Sequence, residues 1–148
     1  MHALRFLMTA FVSLFAFLGQ AEAAEPKPSR QALFFFEKNI RPVLVKHCYE
    51  CHSSAALLNG NLESELLLDT KAGIRKGGAS GPAVVPGEVE TSLLIKAIQH
   101  DSFNMPPDTT LPPKVIADFI KWVEMGAPDP REEPTTNIEK MEIDIEAG

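Results

Sequence analysis

The chain lacks the features that mark several common classes of protein. Its 14 Lys and Arg residues are outnumbered by 20 Asp and Glu residues, so there is no basic stripe for nucleic acid, and we exclude nucleic acid as a partner. Its longest mainly apolar run, 6–18, has 13 residues, broken only by Thr9 and Ser13, and would rise only about 20 Å as a helix. Because the hydrocarbon core of a bilayer is about 30 Å thick, we expect no permanent membrane span. Cysteine is also scarce, with two residues in the whole chain.

The first 23 residues have the pattern of a secretory signal peptide. Arg5 precedes the apolar run, and Ala21-Glu22-Ala23 follows it as a small-x-small cleavage site. No cysteine lies at this site, which argues against a lipid-anchored start. An uncleaved anchor is the alternative. We therefore expect an exported protein, periplasmic or otherwise extracytoplasmic, without a membrane span after cleavage.

The remaining chain divides into three parts. Removal of the signal peptide 1–23 leaves 125 of the 148 residues, enough for one domain with one core. We assign 24–30 as a leader, 31–128 as the domain and 129–148 as an acidic, disordered linker or tail. The last boundary follows from the charge. Residues 24–128 contain 11 Lys and Arg residues and 12 Asp and Glu residues, whereas 129–148 contain 2 and 7. An acidic segment with few large apolar residues gains too little burial to fold.

Both cysteines belong to one five-residue motif, Cys48-Tyr49-Glu50-Cys51-His52. Cys-x-x-Cys-His is the pattern for covalent attachment of a c-type haem. Thiols three residues apart on one helical turn point to the same side, where they can add to the two vinyl groups of one porphyrin. The imidazole that follows can then bind the iron from below the ring. The motif therefore predicts attachment through Cys48 and Cys51, with His52 as the proximal ligand.

Other interpretations of the cysteine pair stay open at this point. In an oxidising compartment the pair can form a disulfide or a thioredoxin-like redox site, although no βαβ pattern surrounds it here. It can also supply half of a zinc site. Such a site needs two further ligands, and the remaining candidates, His47 and His100, do not follow a familiar zinc spacing.

Met105 is the candidate for the sixth ligand of the iron. It lies 53 residues after His52, in the segment His100–Pro107, whose composition predicts a loop. A thioether sulfur is a soft ligand that favours reduced iron, and Pro106 and Pro107 stiffen the loop that carries it. The alternative is a loop methionine that fills a gap in the core. Weaker candidates for the ligand position are His47, His100, Met125 and Met141.

Apolar periodicity predicts three to five helices, long loops and little sheet. One helical pattern starts near Gln31 and continues to Cys51, and Pro42 should kink it or divide it in two. The segment Ser53–Pro86 is rich in glycine and proline and is expected to be irregular. Within it, a short helix is expected near Thr70–Arg75.

Two further helices are predicted in the second half of the chain. Glu90–His100 has an apolar face, with Thr91 or Ser92 as its cap. The last helix runs over about 113–125 and ends at Gly126. Its predicted buried stripe comprises Ile116, Phe119, Ile120 and Val123, with Trp122 on the flank.

The attachment motif is accompanied by 35–42 (FFEKNIRP), Leu68-Asp69-Thr70, 77–87 (GGASGPAVVPG), 92–98 (SLLIKAI), Met105-Pro106-Pro107, and Trp122 with Gly126-Ala127-Pro128. Together these segments resemble the planctomycete-type cytochrome c domain, a relative of class I cytochromes c, over about 33–128. The resemblance implies one covalent haem c per chain, with Cys48 and Cys51 as thioether sites, His52 as proximal ligand and Met105 as distal ligand. It also implies an all-α, cytochrome c-like fold in which the first and last helices cross.

The sequence thus predicts an exported monohaem c-type cytochrome that transfers single electrons. We expect a carrier rather than an enzyme, although the domain can be the redox module of a larger enzyme. Its expected partners are an unidentified redox protein and the haem-maturation machinery. Two other functions stay open: a haem-based sensory or small-ligand-binding module in which the methionine is displaced, and a haem-free structural disulfide domain. Because members of the family usually continue into further domains, the chain is either a short gene product or part of a longer protein.

Overall fold

The computed structural model describes residues 27–131, and within this range the protein is all-α, as predicted. Long loops join the helices, and the only β-type pairing between 27 and 131 consists of two isolated bridges. No helix in the described part of the chain is long and apolar enough to cross a membrane. The predicted signal peptide 1–23 and the tail residues 132–148 lie outside the described residues.

The N-terminal part is one continuous helical run whose hydrogen bonding changes in the middle. It consists of α1 (Arg30–Phe35), a π-helical turn (Phe36–Ile40) and α2 (Arg41–His47). The first N–H of α2 donates to a carbonyl five residues earlier. Pro42, which has no N–H to donate, lies in the first turn of α2. The predicted interruption at Pro42 is therefore confirmed, in the form of a widened turn that precedes the proline.

Two short helices follow, α3 (Ser54–Leu58) and α4 (Lys71–Lys76). Each begins at a hydroxyl cap: the side chains of Ser53 and Thr70 accept backbone N–H bonds of 3.1 and 2.9 Å. The α4 helix confirms the short helix expected near Thr70. The α3 helix was not predicted, because five residues are too few to show an apolar period.

The last two helices are α5 (Leu93–Ile98) and α6 (Pro113–Glu124). With the N-terminal run counted as one, the described residues contain five helices, within the predicted range. Ser92 precedes α5 but does not cap it with its side chain. Its hydroxyl is buried and donates instead to the carbonyl of Glu88 at 2.7 Å. Gly126 follows α6 with a φ of +86°, as expected of a residue that ends a helix.

The core forms where the π-helical turn packs against α6. Trp122 is fully buried there, with its ring 5.6 Å from that of Phe36 and 6.1 Å from that of Phe119. The prediction that Trp122 lies on the flank of α6 is wrong. Its indole N–H donates to the carbonyl of Pro128 at 2.9 Å, so the ring can be buried without leaving a polar group unsatisfied.

The packed part of the chain extends beyond Pro128. The side chains of Asp129 and Arg131 are only 3% and 8% exposed, and they form an ion pair. The predicted start of the tail at Asp129 is corrected by this pair. Because 129–148 is acidic overall, its composition did not reveal that Asp129 and Arg131 form an ion pair packed against the domain. The domain therefore includes residues up to at least Arg131.

Candidate haem-binding site

An apolar cleft is lined both by the attachment motif and by the loop that carries Met105. It is partly open to solvent. Three of the four predicted site residues, Cys48, His52 and Met105, line this cleft. The rest of the lining is mainly apolar and comes from Leu66, Leu68, Ala83, Leu93, Leu94, Ala97, Ile98, Phe103 and Pro106.

The attachment motif forms a hydrogen-bonded turn after a helix. The α2 helix ends at His47, four residues before the predicted end at Cys51. The carbonyl of Cys48 then accepts the N–H groups of Cys51 and His52 at 3.2 and 2.9 Å. This bonding keeps the two cysteines and the histidine within about one turn of chain, the arrangement on which haem attachment depends.

The segment 63–68 is bonded to this turn through its main chain. Glu63 donates its N–H to the carbonyl of Cys51 at 3.0 Å, and Leu68 donates to the carbonyl of His52 at 2.9 Å. The side chain of Asp69 accepts the N–H of Ser54 at 2.7 Å, just after the motif. Main-chain carbonyls of the motif are therefore fixed by a segment more than ten residues away in sequence.

The two cysteines are free thiols in different surroundings. Cys51 is exposed, whereas Cys48 is half-buried at the cleft, and burial raises the pKa of the Cys48 thiol to about 11. A thioredoxin-like cysteine has a lowered pKa, because its thiolate is the reactive form. The surroundings of Cys48 therefore do not favour a thiol–disulfide redox site. Residues 27–131 also contain no group of three or more His, Cys, Asp or Glu that would hold a metal ion such as zinc.

His52 is buried, and its Nδ1 atom has no hydrogen-bond partner among the described residues. Burial lowers the pKa of the His52 imidazole, and the nearby backbone of Glu63 and Leu66 partly opposes this shift. A lowered pKa keeps the imidazole neutral at pH 7, which is the form that binds metal ions. His52 is therefore in the protonation state that an iron ligand requires.

Met105 lies on an irregular loop that is anchored to α5. Its N–H donates to the carbonyl of Ala97 at 3.2 Å. The following Pro106, joined to Met105 by a cis peptide bond, is buried and lines the cleft. The Met105 side chain is 37% exposed and is not part of the core cluster. Its position at the cleft, outside the core, favours a ligand over a methionine that fills a core gap.

The weaker ligand candidates are less well placed. His47 also lines the cleft, but it directly precedes the attachment motif. His100 does not line the cleft; its Nε2 atom is buried without a partner in the part of the chain that the structure describes. Met125 lines a separate groove, and Met141 lies outside the described residues.

A glycine turn brings backbone segments close together at the cleft. Gly78 and Gly81 both line it. A Cβ atom at Gly78 would collide with the carbonyl oxygen of Ser64, and one at Gly77 would collide with that of Gly81. Gly77 also has a φ of +74°. These glycines are required by close packing of backbone on backbone, as well as by the turn itself.

Sequence reasoning did not identify several residues of the cleft. The apolar face of α5 was predicted, but Leu94, Ala97 and Ile98 line the cleft as well as being buried. Phe103 was predicted only to lie in a loop, yet it lines the cleft and is 42% exposed. The available signal was the position of this aromatic residue two residues before Met105.

Comparison with known proteins agrees with this site. Residues 48–109 match the family model described as planctomycete cytochrome C. The match covers less than half of the 148 residues but includes Cys48, Cys51, His52 and Met105. No curated protein and no solved structure matches the chain. The match to this family model over residues 48–109 confirms the resemblance found in the sequence.

Proposed function

We propose that the protein is an exported monohaem c-type cytochrome that carries single electrons. The observation that carries the proposal is that Cys48, His52 and Met105 line one apolar cleft. Cys48 and Cys51 would hold the porphyrin through thioether bonds, and His52 and Met105 would be the two axial ligands of the iron. A bound haem supplies the one-electron chemistry of such a protein.

The residues of the cleft fit a haem group. The walls are mainly apolar, as the porphyrin face requires, and the lining includes no lysine, arginine, aspartate or glutamate. The cysteines are free to form thioethers, and burial favours the neutral imidazole of His52. These features support the proposal that residues within the family match attach the haem and bind its iron.

The way the chain holds His52 and Met105 supports an electron carrier. His52 is fixed by its own carbonyl bond to Leu68, and the Met105 loop is fixed by its bond to Ala97. With protein ligands at both axial positions, no substrate needs to bind the metal. We therefore propose a carrier without catalytic activity of its own, which can serve as the redox module of a larger enzyme.

A haem-based sensory or ligand-binding module is the second candidate function. The observation that favours it is the position of Met105 on a loop without regular secondary structure, anchored to α5 by the N–H bond of Met105 to Ala97. Displacement of this thioether would open the iron to a small gas or a peroxide. The two functions differ in whether the methionine stays bound when such a ligand is offered.

Export and partners form part of the same proposal. Haem is attached to c-type cytochromes outside the cytoplasm, which agrees with the signal peptide predicted in 1–23 and implies the haem-maturation machinery as a partner. Cys51 is exposed at the attachment turn, so we propose that the haem edge is accessible there to a redox protein.

Visible spectra of the exported protein test the proposal. The protein is produced with haem-maturation machinery, purified from the periplasm, and its spectrum is recorded in the oxidised and reduced states, with and without carbon monoxide. An electron carrier shows haem c bands that carbon monoxide does not change. Bands that shift with carbon monoxide would support the ligand-binding module, and a protein without haem bands would be the structural disulfide domain.

A further inference from the structure

A buried ion pair contacts the attachment motif outside the cleft. The Nε of Arg131 donates to both carboxylate oxygens of Asp129, at 2.8 and 3.1 Å, and Nη2 donates to the same carboxylate. The two side chains are 8% and 3% exposed. A guanidinium held by a carboxylate in this way has a fixed orientation. Asp129 therefore determines where the remaining nitrogen of Arg131 points.

That nitrogen, Nη1, contacts the haem motif and the segment bonded to it. It donates to the hydroxyl of Tyr49 at 2.5 Å and to the carbonyl of Leu68 at 2.8 Å. The guanidinium also lies 4.8 Å from the centre of the Phe36 ring in the helical run. One side chain thus joins the π-helical turn, the residue that follows Cys48, and the segment 63–68.

Leu68 extends this contact to the main chain of His52. Leu68 is buried, and while its carbonyl accepts from Arg131, its N–H donates to the carbonyl of His52 at 2.9 Å. Arg131 is therefore separated from His52 by one residue and two hydrogen bonds. Through Tyr49 it also contacts the turn that carries both cysteines.

We propose that Arg131, oriented by Asp129, is a positioning residue for the proximal side of the haem site. It holds Tyr49 and Leu68, and through them keeps the attachment turn in the geometry in which His52 lines the cleft. The inference rests on the proposed function, since it assigns Arg131 a role toward a bound haem.

The distribution of the Arg131 contacts argues for positioning as well as stability. A buried ion pair gives little net stability compared with apolar residues of the same volume, but its bonds are directional. Groups that orient a metal ligand from outside tune the metal site. If the contacts of Arg131 are lost, the turn loosens and water gains access to the haem. Water favours the more highly charged ferric state, so the reduction potential falls.

The experiment compares haem-loaded, exported variants with the wild type. Arg131→Gln removes the guanidinium group. Arg131→Lys keeps the positive charge but not the planar group with several donating nitrogens, and Tyr49→Phe removes one hydrogen-bond acceptor. Arg41→Gln is the matched control, since it breaks an exposed arginine–glutamate pair with Glu37. The measurements are the reduction potential and the NMR shifts of the His52 ring protons in the oxidised protein.

We expect Arg131→Gln to lower the reduction potential and shift the His52 signals, Arg131→Lys and Tyr49→Phe to do so to a smaller extent, and Arg41→Gln to do neither. A change in stability alone, with wild-type potential and His52 signals in the Arg131 variants, would overturn the inference. If Arg131→Gln fails to fold, Arg131→Lys and Tyr49→Phe decide by the same two measurements. If the wild type carries haem and the variants are unaffected, only this inference is refuted. If the wild type carries no haem, the proposed function and the inference are both refuted.

Discussion

The two sides of the cleft are held in different ways. On the proximal side, the carbonyl of His52 is bonded to Leu68, which Arg131 holds in turn. On the distal side, the proposed ligand Met105 is anchored by its N–H bond to Ala97, and residues 101–104 and 107–110 of its loop are exposed. The proximal residue is thus fixed by a buried network, and the distal residue by a loop near the surface.

This difference indicates which of the two proposed ligands the fold can exchange. A group that is buried and bonded on several sides leaves its place only with local unfolding. A methionine on an exposed loop can leave the iron while the rest of the domain stays folded. We therefore expect changes on the proximal side to affect attachment and stability as well as the reduction potential, and changes on the distal side to affect the reduction potential and ligand access with less loss of stability.

The largest expected effect is the loss of both attachment points. Cys48→Ser combined with Cys51→Ser should leave a protein without covalent haem, and each single change should weaken attachment. Because a domain of this size relies on the haem as a central apolar filler, the haem-free form should be largely unfolded or molten. Intact mass and circular dichroism measure these two outcomes. Covalent haem in the double variant would show that the motif is not the attachment site.

Removal of the buried cation should have the next largest effect. Arg131→Gln leaves the carboxylate of Asp129 buried without its partner, which costs about 3–5 kcal/mol. The exposed control Arg41→Gln, whose ion pair is 48% and 41% exposed, should cost less than about 1 kcal/mol. Denaturant unfolding of the haem-loaded proteins gives both values. Equal losses in the two variants would mean that the proximal network is no stronger than a surface pair.

A change on the distal side should open the iron to ligands and cost less stability. Met105→Ala should lower the reduction potential and open the iron to carbon monoxide, because a soft ligand is lost, while unfolding changes less than in Arg131→Gln. His100→Ala serves as the control and should alter neither property. The direct sign is a methionine-to-iron charge-transfer band at the red end of the oxidised spectrum. Its persistence in Met105→Ala would assign the ligand to another residue.

The smallest effect is expected from the acidic end of the chain. Deletion of 132–148 removes five net negative charges and should lower stability by well under about 1 kcal/mol, with an unchanged visible spectrum. Deletion of 129–148 also removes Asp129 and Arg131, and it should be clearly more destabilising. Stopped-flow reduction by a basic partner should be slower without 132–148 at low salt, and hardly changed at high salt. Equal stability of the two truncated proteins would contradict the extended boundary.

Local patterns in the sequence predict those residues whose structure or role depends on their neighbours in the chain. The five-residue motif, the proline-flanked Met105 and the apolar face of the last helix each have a signal within a few residues. The short helix at Thr70 was predictable for the same reason, because its cap lies beside it. The family resemblance then connected these separate signals into one site.

What the sequence did not predict depends on contacts between distant residues. Arg131 reaches Tyr49 and Leu68, 82 and 63 positions away, so its local acidic surroundings suggested a tail. The path of Ser53–Pro86 is set by bonds such as that from Leu68 to His52. Trp122 is buried because a carbonyl beyond the helix end accepts its N–H. None of these partners can be found from periodicity or composition.

Intact mass of the exported wild-type protein under denaturing conditions, joined to a pyridine haemochrome spectrum of the same sample, tests the central claim most directly. We expect a mass gain of one haem and the haemochrome of a porphyrin bound through two thioethers. A chain with the mass of the polypeptide alone, after production with active haem-maturation machinery, would contradict it.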